Sequence, residues 1–164
     1  MAATDLGPLT IPDAIIGRHF GHHARFESRH PDRVWRFRRV QVPIADLHCG
    51  YDDPGVQVTN PAGLMGAVGM AALGYSGMPI VQMARAIESS LKSGKADDAN
   101  PSLRKVLTFR DGGWSLIGSV SEPLAVTCVD GRWFVREGTH RAVAMALLGE
   151  QVLEAIDFES GELQ

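Results

Sequence analysis

The C-terminal third of the chain constrains the fold most. From residue 123 it reads PLAVTCVDGRWFVREGTHRAVAMALLGEQVLEAIDFE. Two β-rich runs meet at Asp130-Gly131, a dipeptide that accepts the positive φ values of a type I′ turn, so they pair as a hairpin. Thr139 reads as the N-cap of a following helix and Gly149 as its C′ residue. Between them AVAMALL is apolar on every side, which predicts a buried helix. VLEAIDFE is then long enough for one more strand. Strand, tight turn, strand, helix, strand is the signature of a mixed α/β (α+β) layer architecture rather than a bundle or sandwich.

The rest of the chain fits one domain of that class. With 164 residues it can bury roughly two thirds of its unfolded surface without staples, and a net charge of -3 at 21% charged residues names no partner. Cys49 and Cys128 have no CxxC spacing and are too few for a disulfide framework. No basic-then-apolar leader opens the chain. A cytoplasmic protein is the expectation. Residues 61 to 84 carry no charge, but five glycines and Pro79 predict a short helix and a Gly-rich loop rather than a membrane span.

Residues 1–33 read as an irregular, basic N-terminal arm, and residues 34–164 as the domain proper. Val40, Val42 and Ile44 alternate as in a half-buried first strand that exits at Pro43. Ile80, Met83, Ala84, Ile87 and Leu91 recur at helical spacing, with Glu88 four residues before Lys92 and a stop at Ser93-Gly94. SGKADDANPS is a surface loop without the spacing of a Walker motif. VLTFRDGGWSLIG is open between a hairpin turning at Asp111-Gly112 and a strand followed by a helical turn.

The chemistry concentrates in Glu137-Gly138-Thr139-His140-Arg141. With Thr139 as cap, His140 and Arg141 fall in the first helical turn, where a cation opposes the helix dipole by about 0.3–1 kcal/mol. An anion over the helix end would turn that misplacement to use, since backbone N–H groups and the Arg141 guanidinium would converge on one phosphate or carboxylate. Gly138 would then let the ligand approach without a Cβ in the way. The alternative is a purely structural cap, with Glu137 neutralising Arg141.

A hairpin ending in a Gly-x-His-Arg turn, an Ala-rich helix ending at Leu-Gly and one further strand resemble the ParB/sulfiredoxin superfamily. The resemblance covers residues 123 to 158, and RRVQVPIADL is similar to the strand that opens such domains. It implies a ParB/sulfiredoxin-like mixed sheet with helices, and a turn (Gly138, Thr139, His140, Arg141) that holds nucleotide phosphates. Thr139 stands where a sulfiredoxin has its catalytic cysteine. The motif is nearest to those of ParB-like free serine kinases and sulfiredoxins, and in the free serine kinases a catalytic glutamate follows the first strand. Here Asp46, Asp52 and Asp53 are the nearest acids.

Two functions follow as expectations. The first is a small-molecule phosphotransferase using ATP or ADP with Mg²⁺, in which Asp52, Asp53 or Glu137 accepts the proton of a metabolite hydroxyl. The second is a nucleotide-sensing or nucleic-acid-binding module, a nuclease included. Residues 18 to 39 hold seven arginines against Glu27 and Asp32, with Phe26, Trp35 and Phe37 interleaved as base-stacking candidates. His19, His22 and His23 lack a cysteine or acid at zinc-site spacing, so no metal ligands are assigned among them.

Overall fold

The structure, a computed structural model, describes residues 2–49, 77–94, 101–112 and 123–164. They form a mixed seven-stranded sheet with four α-helices in a single compact domain. In chain order the elements are β1 (Thr4–Pro12), α1 (Asp13–Phe20), β2 (Val34–Pro43), β3 (Leu47–His48), α2 (Ile80–Lys92) and α3 (Pro101–Gly112). β4 (Ala125–Val129), β5 (Arg132–Glu137), α4 (Thr139–Leu147), β6 (Val152–Asp157) and β7 (Glu162–Leu163) follow. The sheet order is β1-β2-β6-β4-β5-β3, with β7 also paired to β2. β3 runs parallel to β5 and β4 parallel to β6, and the remaining pairs are antiparallel.

β2 explains how the sheet acquires two covered faces. Trp35 and Phe37 point to one face, where they join Ile11, Ile16, Phe20, Phe26 and Phe158 beside α1. Val40 and Val42 point to the other, where they join residues of α2, α3 and α4. The buried parity of the strand therefore switches midway, because side chains alternate with period two. Adjacent residues Ala125 and Val126 of β4, and Ala155 and Ile156 of β6, divide between the faces in the same way.

The C-terminal third folds as its pattern requires. Asp130 and Gly131 have φ of 51° and 77°, the double positive φ of a type I′ turn. α4 ends in a Schellman motif: Gly149 has φ of 80°, and Glu150 N–H donates to the Met145 carbonyl at 3.1 Å while Gly149 N–H donates to that of Ala146. α2 spans the predicted positions, and its Glu88–Lys92 pair lies at 3.7 Å on the exposed side.

Three expectations need correction. Residues 4–20 are not an irregular arm, since β1 forms the edge strand against β2 and α1 covers the aromatic face; β2 is thus the second strand. Asp13 secures this segment by accepting hydrogen bonds from the His30 backbone at 2.9 Å and the Trp35 indole at 2.8 Å. Residues 106–112 are neither hairpin nor strand but the second half of α3. Pro101 opens that helix, where its missing N–H costs nothing, and Leu103 and Val106 bury one face among the residues around α2 and α4. Packing overrides the β propensity of Val106 to Phe109. Thr139 is not the cap: Gly138 occupies that position with φ of 93°, and Thr139 is the first helical residue, with no capping hydrogen bond.

Candidate functional site

β5 delivers Glu137 to the head of α4 through an irregularity. Ala125 pairs with Glu137 but Val126 with Val135, leaving Arg136 as an extra residue in the ladder. Such a bulge re-aims the side chains beside it. The chain then enters α4 through Gly138. A Cβ there would collide with Leu124 Cδ2 and come within 3.0 Å of an Arg141 guanidinium nitrogen. The glycine is therefore required by positive φ and by packing against Leu124.

Over this junction lies a cleft of about 230 Å³ lined by His19 of α1, Lys105 and Phe109 of α3, and Glu137, Gly138, His140 and Arg141. Elements from both faces of the sheet meet there. Lys105 and Phe109 share one helical face, four residues apart. Neither was legible as a site residue, because the spacing has meaning only once residues 101–112 are known to be helical. Of the expected phosphate-binding residues, Gly138, His140 and Arg141 line the cleft and Thr139 does not. Asp52 and Asp53 lie outside the described residues. Asp46 closes a 3₁₀ turn after β2 and is not part of the cleft wall.

The electrostatics are those of a cationic pocket with one acid. Arg141 is 6% exposed, and its guanidinium donates to the Pro123 carbonyl at 3.3 Å, so the charge is held in place rather than waving in solvent. Lys105 and Arg141 stand against Glu137, the one carboxylate lining the cleft among the described residues. Burial raises the Glu137 carboxyl above its ordinary pKa, and the charges of His22, Arg141, His19 and Lys105 offset this only in part. The nearest partner of that carboxylate is His22, whose Nε2 is 3.7 Å from Glu137 Oε2. His140 is pushed down to about 4 by burial and by Lys105, and its Nε2 is buried with no hydrogen-bond partner. It is neutral at pH 7.

The arginine-rich segment serves a different end from base stacking. Phe26, Trp35 and Phe37 are buried in the aromatic core, so they offer no platform to a base. Arg25 donates to the Glu159 and Gly161 carbonyls, Arg33 to that of Gln164, and Arg38 pairs with Asp157. These side chains fasten the C-terminal segment to β2 and to the stretch before it. No helix among the described residues is long and apolar enough to cross a membrane.

The chain matches no protein-family model, and comparison with curated proteins and with solved structures returned no match.

Proposed function

We propose that the cleft at the head of α4 binds the phosphates of a nucleotide, ATP or ADP, and that the protein transfers a phosphoryl group to a hydroxyl of a small metabolite. The observation that carries this reading is the convergence of Lys105 and the fixed Arg141 on an open cleft at a helix N-terminus, beside one partly buried carboxylate. Backbone N–H groups of a first helical turn lack intrahelical partners and suit an anion. A volume of about 230 Å³ is below that of sites enclosing a whole drug-sized ligand, roughly 300–1,000 Å³, and suits the phosphates with the nucleoside outside.

In this reading Lys105 and Arg141 stabilise charge on the transferred group. Glu137 takes the proton of the acceptor hydroxyl as its oxygen bonds to phosphorus and the bond to the departing phosphate breaks. A carboxyl whose proton affinity is raised by burial is the better base. Neutral His140 can accept or donate a hydrogen bond without adding charge. Mg²⁺ would be held chiefly by the substrate phosphates and water, which leaves the Glu137 carboxylate beside it to act as the base. When bound, Mg²⁺ neutralises phosphate charge. The ParB-like resemblance of residues 123 to 158 agrees with this reading.

The test is calorimetric titration of ATP and ADP with Mg²⁺ into the protein and into K105A, followed by a phosphoryl-transfer assay on a panel of hydroxylated metabolites. K105A should bind nucleotide at least ten-fold more weakly, about 1.4 kcal/mol, the size of one lost charge-assisted contact. E137Q should bind nucleotide and transfer nothing. Equal affinity of K105A and the parent, or binding without transfer to any acceptor, overturns the kinase reading.

A further inference from the structure

Around Glu137 of the cleft, three metal-ligating groups from distant parts of the sequence come together. One ring nitrogen each of His22 and His23 and one carboxylate oxygen of Glu137 lie within 4.8 Å of one another. Sequence spacing alone leaves the two histidines without an acid, because the acid comes from the far end of the hairpin, more than a hundred residues away. The described residues contain no other such trio.

The geometry around the trio is built rather than incidental. His23 N–H donates to the Phe20 carbonyl, and the His23 carbonyl accepts from Phe26 N–H, both at 2.9 Å, so the backbone under the pair is held. The His23 ring packs edge-on against Phe158 with centroids 4.9 Å apart, and His22 lies over His23 at 4.3 Å. His23 Nε2 is shielded from solvent and has no hydrogen-bond partner. A buried imidazole nitrogen in that condition forfeits the bond it made to water with nothing in return. An ordinary His–Glu ion pair would involve His22 alone and leave His23 unexplained.

We propose that His22, His23 and Glu137 form a binding site for a divalent transition-metal cation of the zinc class. Two imidazoles and a carboxylate are an established ligand set for Zn²⁺, and a tetrahedral ion leaves the fourth position open, as in catalytic rather than structural sites. Ligand atoms around a tetrahedral Zn²⁺ stand about 3.4 Å apart, given bonds near 2.1 Å. The widest separation in the trio, at most 4.8 Å, must contract by up to roughly 1.4 Å. His22 is 64% exposed, so its side chain can move towards the other two ligands. Arg136 beside His23, and His19, Lys105 and Arg141 around Glu137, oppose a cation and weaken the site relative to a closed cage. An anion sharing the open position would offset that penalty.

One consequence rests on the phosphotransferase reading. A metal on Glu137 removes the carboxylate that would take the acceptor's proton, so saturating Zn²⁺ should suppress transfer. Metal binding itself does not depend on that reading.

The experiment is equilibrium dialysis of chelator-stripped protein against Zn²⁺ in the absence of nucleotide, with Co²⁺ absorption as a second readout. One Zn²⁺ per chain is expected, with affinity at least ten-fold lower in H22A and in E137Q, and unchanged in H30A. Bound Co²⁺ should give the intense visible bands of a four-coordinate ion. Where H23A fails to fold, H22A still decides, because that side chain lies mostly in solvent. Absence of stoichiometric binding, or H22A binding Zn²⁺ as tightly as the parent, overturns the proposal. K105A separates the two ideas, since it should weaken nucleotide and leave Zn²⁺ affinity equal or higher. Zn²⁺ binding with no nucleotide binding would therefore sink only the kinase reading.

Discussion

Gly138 and Gly149 bound the same helix, and both have positive φ, 93° and 80°, but their surroundings differ. A Cβ on Gly149 would meet nothing within 4 Å, whereas one on Gly138 would meet Leu124 and the Arg141 guanidinium. G149A should cost only the left-handed strain of an alanine, about 1–2 kcal/mol. G138A adds overpacking to strain and should cost about 2–4 kcal/mol. Urea denaturation of the two variants checks the order. Equal losses would mean that Leu124 yields and that packing is not what selects the glycine. The difference matters to the site, because any shift of Leu124 disturbs the Pro123 carbonyl next to it, which holds Arg141.

Among the elements, α1 shows how one buried acid can organise a segment with weak local signals. Asp13 is 2% exposed. Burial alone would raise its carboxyl, yet the hydrogen bonds from His30 N–H and the Trp35 indole, with the charges of His30 and Arg29, hold it below the usual carboxylate range. That single side chain ties the start of α1 to the loop before β2 and to β2 itself. D13A should lose about 2–4 kcal/mol, because one buried and one partly buried donor are left without acceptors. D13N, which keeps one carbonyl oxygen, should recover part of the loss. A urea midpoint for D13A indistinguishable from the parent would show that the α1 face is held by its aromatic packing alone.

For the molecule as a whole, the two covered faces share β2, β4 and β6, so neither core can open without breaking strands that the other uses. Global stability should therefore report protonation at the cleft. His140 has a folded pKa of about 4 against an ordinary 6.5. Between those values the unfolded state binds more protons, so stability falls as pH drops from 6.5 towards 4, by roughly 3 kcal/mol in total. His23, lowered by burial, by His22 and by Arg136, acts in the same direction. Glu137 acts oppositely: its raised carboxyl binds protons more readily when folded, which adds stability at low pH that is lost as pH rises through its folded value. H140Q isolates the first contribution. Its unfolding free energy should vary less between pH 4 and 6.5 than the parent's, and an unchanged slope would place the buried proton elsewhere.

The sequence by itself determined the elements whose signals are local. The Asp130-Gly131 turn, the Schellman end at Gly149, and α2 with its Glu88–Lys92 pair each depend on residues within a few positions of one another. The mixed α/β class followed from their order. Where local propensity and tertiary packing disagree, packing wins, and only the tertiary structure decided the outcome. Val106 to Phe109 became helical because Leu103 and Val106 had a core to enter, and residues 4–20 became strand and helix because β2 offered an edge and an aromatic face. The site divides in the same way. Gly138, His140 and Arg141 stood in the sequence as one motif, whereas Lys105, Phe109, His22 and His23 come to Glu137 through contacts across long separations, whose cost and reward no local pattern records.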